Sequence, residues 1–367
     1  MKSKEQKDPK EMRSGYTTGA CATAATKAAL TALITKKVQT ESTITLPVGK
    51  TVTFTLEECV VTDSFAYAKV IKDAGDDPDA THGATIISTV RFVDSDDILL
   101  DGGFGVGRVT KPGLPVPVGQ AAINPVPRKM LRNIVKEVLE QNQINQGVSV
   151  KISVPEGVEM AEKTLNGRLG ILNGISILGT RGIVVPFSTA AYRASIVQAI
   201  KVAKENGCDH IVLSTGGRSE KFAMELYPEL HEEAFVEMGD FVGFAVKSCR
   251  VQGIKKISIS GMMGKFSKVA QGVMMVHSKS APVDFHFLAS LAEKAGADQE
   301  LLTKIVEANT ASQVATLMEE ANLPTFFNIV SEACSNACIA HAGDGIAVET
   351  IITTLKGKLL GRKVVHG

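Results

Sequence analysis

Residues 13–30 read RSGYTTGACATAATKAAL, a run of hydroxyls and glycines that leads straight into alanine. A helix that begins there leaves its first N–H groups unpaired at the positive end of the helix dipole, an arrangement suited to an anion. Tyr16, Thr17 and Thr18 add hydroxyls, and Gly19 lets a ligand come close. The same residues fit a plainer purpose, with Thr17 or Thr18 as the helix cap and small side chains for tight packing. Residues 72–83, KDAGDDPDATHG, gather Asp73, Asp76, Asp77, Asp79 and His82 around Gly75 and Pro78. Such a loop offers a general base or a cation site. Its spacing matches neither an EF-hand loop nor a zinc set, and a solvated acidic turn has the same composition.

Residues 101–117, DGGFGVGRVTKPGLPVP, put Gly103, Gly105 and Gly107 at a dinucleotide-like spacing. That fingerprint must open a helix, and Pro112, Pro115 and Pro117 forbid one, so a bent strand and loop is expected. HIVLSTGGRSEKFA is better placed: an apolar strand runs into Thr215, Gly216, Gly217 and Arg218 and then into a helix. KKISISGMMGKFSKVA repeats the arrangement with Gly261, Gly264 and Lys265. Two small-residue loops after neighbouring strands would line one crevice, where open parallel sheets hold ligands; turns serving only helix packing would read the same. SEACSNACIAHAGDG sets Cys334, Cys338 and His341 on one helical face. The third cysteine of a radical-type cluster is absent, and buried small side chains are expected.

These loops need elements to hold them. Residues 21–36 carry apolar side chains at helical spacing, and their alanine content favours helix. TITLP, TVTFTLEE, AYAKVIKD and TIISTVRFV alternate as half-buried strands do. PVPRKMLRNIVKEVLEQN is an amphipathic helix after Asn124, and GVSVKISVP is a further strand. Helices and strands are segregated, which predicts an α+β first domain over residues 14–186 behind a disordered arm at 1–13. From about Gly182 the rhythm becomes GIVVP, a helix over about residues 188–206, HIVLST, a helix, KKISISG and another helix. Short, continuously apolar strands in βαβ alternation predict an α/β domain with a small, mostly parallel sheet over residues 187–367.

A chain of 367 residues exceeds what one core usually serves, in keeping with two domains. With 40 basic against 39 acidic side chains there is no global field for nucleic acid or an anionic membrane, so local groups must meet any anionic ligand. Cys21, Cys59, Cys208, Cys249, Cys334 and Cys338 are scattered and read as reduced thiols. No stretch has the apolar core of a signal peptide or the length of a membrane span, which predicts a soluble, cytoplasmic protein.

RSGYTTGACATAATKAAL, KDAGDDPDATHG, GGFGVGRVTKPGL, NGISILGTRGIVVPFS and STGGRSE occur in an order that resembles one family, from Ser14 to about Val364. It is the cobalt-precorrin-5B C(1)-methyltransferase (CbiD) family of anaerobic cobalamin biosynthesis. Ala20 stands where the family's opening motif most often has threonine. The resemblance implies transfer of a methyl group from S-adenosyl-L-methionine to C-1 of a cobalt-bound, ring-contracted tetrapyrrole, giving cobalt-precorrin-6A. It implies a first domain similar to a permuted ribosomal-S5 domain-2-like fold. It also implies cobalt that arrives inside the anionic substrate, with no metal site on the protein, and transient contact with neighbouring pathway enzymes. The usual methyltransferase signature, an acidic residue before a Gly-x-Gly turn at the first strand, is not visible in the second domain.

Methyl transfer from a sulfonium is an in-line displacement, so positioning should supply much of the rate and no covalent enzyme intermediate is needed. The substrate carries many carboxylates. Tyr16, Thr17, Thr18 and Gly19 are then expected to receive one of them, with Arg108 and Lys111 as partners. S-adenosyl-L-methionine is expected at Thr215, Gly216, Gly217, Arg218, Gly261, Gly264 and Lys265, with Glu220 on its ribose hydroxyls. Asp76, Asp77 or His82 is the expected acceptor of the proton lost from the ring, a role that water fills equally well. Two other readings share parts of the pattern. A small-molecule kinase of S5-like fold would need a phosphate loop that the chain lacks, with residues 73–79 as its obvious magnesium site. A non-catalytic carrier of a corrin intermediate would bind tetrapyrrole without the methyl donor.

Overall fold

The computed structural model describes residues 12–367, and the arm expected at 1–13 lies outside the described residues as far as residue 11. Its last residue is fixed: the Arg13 guanidinium pairs with Asp73, and the Arg13 backbone N–H donates to Asp76 Oδ2 at 3.0 Å. The chain forms two compact units that divide between Ser188 and Thr189.

In the first unit, helix α1 (Thr18–Thr35) is built mostly of alanine, threonine and glycine, and residues 18–26 are all buried. With Lys27 its only charged residue, it takes the place of a core helix, and its small side chains let neighbours approach closely. Strands β1 (Glu58–Val61), β2 (Ala66–Ile71), β3 (Thr85–Val93), β4 (Ile98–Gly102) and β5 (Gly147–Ser153) form a sheet in the order β1-β2-β3-β5-β4. All pairings are antiparallel except the parallel β5–β4 pair. Ala66, Ala68, Val70, Ile86 and Val90 bury alternate positions of β2 and β3, and Ser88 Oγ meets Thr26 Oγ1 of α1 at 2.7 Å. Helix α2 (Pro125–Gln141) starts with proline at its first turn and buries Leu131, Ile134, Val135 and Val138 at three- and four-residue steps. Residues 101–117 contain no helix. Gly105–Val106 and Arg108–Val109 are short strands paired with Gly174–Ile175 and Ile171–Leu172.

The second unit is a sheet covered on both faces. Helix α3 (Thr189–Glu205) precedes β6 (His210–Ser214), α4 (Gly217–Leu226), β7 (Phe235–Glu237), α5 (Val242–Val251), β8 (Lys256–Gly261) and α6 (Met263–Val269). Three shorter helices and α7 (Thr325–Ala342) follow, then β9 (Ala347–Thr353) and β10 (Leu359–His366). The strand order is β7-β6-β8-β9-β10, parallel but for β10. Neighbouring residues of β9 show the two faces. Thr350 Oγ1 meets Ser335 Oγ of α7 at 2.8 Å, whereas Glu349 points the other way, toward Tyr227 at the end of α4. The GIVVP segment does not join this sheet: Ile183–Val184 pairs antiparallel with Gly15–Tyr16 in the first unit. No helix of the described residues is long and apolar enough to cross a membrane.

Glu349 is buried among donors. Tyr227 Oη and Ser258 Oγ donate to its Oε2, the latter at 2.7 Å, and Arg362 Nε donates to Oε1 at 2.6 Å. Burial alone would raise its pKa, but these donors outweigh burial and hold it at about 2. A carboxylate with a depressed folded pKa contributes stability above its unfolded value, lost as pH falls toward the folded one. Glu349→Gln is therefore expected to cost roughly 2–3 kcal/mol near pH 7, the gap to the parent closing between about pH 5 and pH 2. Urea unfolding across that range checks it; a gap independent of pH would refute the assignment.

Candidate functional site

The connection leaving β6 turns toward β7 at one edge of the sheet, and the one leaving β8 leads to β9 on the other side. Between the carboxyl ends of β6 and β8 the loops therefore diverge and leave a crevice, as open parallel sheets do where the strand order reverses. A cavity of about 930 Å³ lies there. Residues 215–219 and 262–265 line one part of it, and Ser312, Ala315, Thr316, Glu319 and residues 353–356 line the rest, with Lys358 and Leu360.

The glycines of the two loops do different things. Gly216 holds φ 155° and ψ 165°, backbone that glycine adopts readily and other residues rarely do. Nothing lies within 4 Å of where a Cβ would stand at Gly216, Gly217 or Gly264, so packing does not require these absences and the space opens to a ligand. Gly261 is the reverse. A Cβ there would stand 2.7 Å from the Phe266 ring and 3.1 Å from Thr215 Oγ1, so it is a packing glycine and does not line the crevice. Lys265 fastens the loops together, its Nζ donating to Thr215 O at 2.9 Å and pairing with Asp240 at 3.0 Å. Lys358 is answered by Glu319 at 2.7 Å. Among the described residues neither Arg218 nor Lys356 forms an ion pair, which leaves two cations of the crevice lining for a ligand's carboxylate. Glu220 is buried in the first turn of α4, where Ser214 Oγ donates to it at 3.4 Å, and it does not line the cavity.

Thr353 was not foreseen from the sequence. It ends β9 on the crevice wall at 2% exposure, and its hydroxyl oxygen has no hydrogen-bond partner among the described residues. The run TIITTLKGK, an apolar strand ending in hydroxyls and a turn, was the available signal.

The helix start at residues 16–19 is filled from within the protein. Thr17 Oγ1 caps the Ala20 N–H at 3.2 Å, Gly19 N–H donates to Leu178 O at 3.1 Å, and Thr17 N–H donates to Gly182 O at 3.1 Å. Thr18 Oγ1 accepts from Leu178 N–H at 2.9 Å, and the Tyr16 ring packs at a tilt against Phe54 with ring centroids 4.7 Å apart. The Leu178 and Gly182 carbonyls and the Thr17 hydroxyl thus hold the Gly19, Thr17 and Ala20 N–H groups that the sequence offered to a substrate carboxylate. Arg108 lies elsewhere, with Nη2 on both Asp101 oxygens at 2.9 Å, and the Lys111 stem lies against Gly170.

The acidic loop is a fastener. Hydrogen bonding from Arg13 holds Asp73 at about 2, and Asp77 Oδ1 accepts the Phe187 N–H at 2.9 Å. Burial works against Asp79, but the fully buried Lys72 ammonium at 2.8 Å and Thr81 keep its pKa below the usual carboxylate range. His82 Nδ1 accepts the Ala74 N–H at 3.1 Å, so the neutral ring carries its hydrogen on Nε2 and its one lone pair is already in use. This opposes the general-base role expected of His82, and Asp76 and Asp77 are drawn into the same ties. Cys334 and Cys338 are fully buried on α7, and burial raises both thiols, Cys338 to about 12. Among the described residues no three His, Cys, Asp or Glu side chains are grouped to hold a metal.

Residues 5–186 match the family described as CbiD, and residues 275–364 match the CbiD C-terminal domain. A Priestia megaterium protein named cobalt-precorrin-5B C(1)-methyltransferase is 65% identical over 98% of both chains. The chain belongs to the CbiD family. A Leptospira interrogans protein of the same name is 45% identical over 96% of both chains. The crystal structure of a cobalamin biosynthesis protein, CbiD, from Archaeoglobus fulgidus is 24% identical, covers 85% of each chain and gives a TM-score of 0.39.

Within this CbiD chain the two kinds of glycine are separable by stability. Gly261→Val, which forces side-chain atoms against Phe266, is expected to lower the free energy of unfolding by about 1–3 kcal/mol. Gly264→Val, which points into open space, should change it by less than about 0.5 kcal/mol. Denaturant unfolding of both variants decides the point, and equal losses would remove the distinction.

Proposed function

We propose that the chain is an S-adenosyl-L-methionine-dependent C-methyltransferase that methylates C-1 of cobalt-precorrin-5B to give cobalt-precorrin-6A. The observation that carries the reading is 65% identity over 98% of the chain to a protein of that name. It favours a methyltransferase over the kinase and carrier readings. Cobalt belongs to the substrate in this reaction. Free, buried thiols at all six cysteines support a cytoplasmic location. A buried α1 on a mainly antiparallel sheet supports the S5-type reading of the first unit.

The crevice at residues 215–218, 262–265 and 353–356 is our assignment for the methyl donor. Two properties support it: open glycine positions where a nucleoside can press against backbone, and two cations, unpaired among the described residues, for an amino-acid carboxylate. When bound, S-adenosyl-L-methionine supplies an electrophilic methyl group. The protein's part is to hold that group still, keep water away from it, and fix the angle of attack. Lys265 locks the two loops together and so sets the crevice width before the ligand arrives. With His82 committed to the Ala74 N–H, loss of the ring proton to water becomes the simpler course.

Anaerobic incubation with cobalt-precorrin-5B and methyl-labelled S-adenosyl-L-methionine should place label at C-1, read by mass and NMR; transfer to another position, or none, would overturn the reaction. Calorimetry tests the crevice separately. Gly264→Val is expected to weaken donor binding at least ten-fold with an unchanged unfolding midpoint. Donor affinity equal to the parent in this variant would move the site elsewhere.

A further inference from the structure

A second cavity, of about 400 Å³, lies in the first unit beside the outer strand β4. Its charged lining is Arg108, Arg128 and Arg132 against the single carboxylate of Asp101. Each guanidinium is held by backbone. Arg128 donates from Nε to Ile123 O at 2.7 Å and from Nη2 to Ala121 O at 3.0 Å, Arg132 from Nη1 to Ile98 O at 3.0 Å, and Arg108 from Nη1 to Gly119 O at 3.2 Å. Carbonyls orient a guanidinium without cancelling its charge, and arginine stays protonated in proteins. Among the described residues only Arg108 forms an ion pair with a carboxylate, Asp101, which lies further from Arg128 and acts on it only by charge. Burial, first, and the neighbouring Arg132 disfavour the charge on Arg128 and together outweigh the support it has from Asp101. Like charges gathered and fixed in this way form a site whose energy falls when an anion enters. Ile98, Leu99 and Leu100 supply an apolar wall beside the forks, with Leu99 half exposed.

We propose that this arginine-lined cavity receives an acid side chain at the rim of the tetrapyrrole, with Arg128 and Arg132 as the carboxylate ligands and the β4 leucines against the neighbouring ring. The inference rests on the substrate class given under Proposed function. The cavity suits a peripheral acid arm and not a whole macrocycle. It also gives the anion-binding role, expected of residues 16–19, to groups whose charge the protein leaves unanswered.

The test is equilibrium binding of cobyrinic acid, a stable corrinoid polycarboxylate, to the full chain, with its methyl ester in parallel. The acid should bind with an affinity that falls as salt rises. Arg132→Gln, at an exposed position, should weaken it about ten-fold; Arg128→Lys should also weaken it, because a point charge cannot replace the fork. Ester binding and donor binding should not change in either variant, and the unfolding midpoint should not change in Arg132→Gln. Absence of acid binding by the parent, unchanged acid affinity in Arg132→Gln, equal losses for acid and ester, or displacement of the acid by equimolar inorganic phosphate would each overturn the proposal. If arginine-dependent acid binding is seen but methyl transfer from S-adenosyl-L-methionine fails, the cavity stands and the reaction falls. If transfer proceeds and acid binding ignores the arginines, the reverse holds.

Discussion

A carboxylate in the middle of a β-sheet must be met by donors or the sheet does not form around it, and in the second unit Glu349 sets this condition. Its four partners come from three elements: Tyr227 at the end of α4, Ser258 and Lys256 on β8, the latter with its Nζ 3.5 Å away, and Arg362 on β10. His210 of β6 joins through Ser258 Oγ at 2.8 Å. Burial, first, and the Lys256 charge push His210 down to about 4, and burial with the Glu349 bond pushes Tyr227 up to about 12. Each group therefore keeps one protonation state across the neutral range. A buried network satisfied in this way fixes register, because sliding any strand would strand a charge. The strands it fixes, β6, β8 and β9, are the three whose carboxyl ends frame the crevice.

The first unit solves a different problem, that of closing a chain whose first helix lies at its centre. With side chains no longer than threonine through residues 18–26, α1 leaves room for backbone from distant segments to reach its start. Residues 176–182 do so at the helix cap, and residues 73–76 do so along residues 13–16. Gly15 and Gly75 permit the second contact, since a Cβ on either would stand 2.1 Å from the opposite backbone. The acidic residues are there because this closure needs acceptors for Arg13, the Phe187 N–H and the buried Lys72 ammonium.

Local pattern carried the regular elements. TIISTVRFV lies wholly in the strand its alternation predicts, TITLP, TVTFTLEE and AYAKVIKD each run two or three residues past the end of theirs, and the helix after Asn124 begins at Pro125. GIVVP failed because two-residue pairing leaves no periodicity to distinguish a strand of one unit from a strand of the next. β7 is three residues long and escaped for the same reason, and β9 hides a polar residue, Glu349, in its apolar run. At the crevice, Thr215, Gly216, Gly217, Arg218, Gly264 and Lys265 could be brought together from sequence because strand, loop and helix are contiguous there. Thr353 and Lys356 could not, since β9 lies some ninety residues further along the chain and only the sheet order makes it a neighbour.

The helix start at residues 16–19 shows where such reading ends. A short sequence states how many donors a helix start presents, and here it states this correctly. It does not state which acceptor arrives, because a substrate carboxylate and the Leu178 carbonyl ask the same of an N–H group. The choice is made by residues 176–182, which owe their position to the whole first unit. Guanidiniums differ in this respect. A carbonyl satisfies an N–H completely, but it leaves the charge of Arg128 and Arg132 in place, so their demand for an anion survives folding. In a chain with almost no net charge, that surviving demand, and not the count of donors, marks where an anionic ligand belongs.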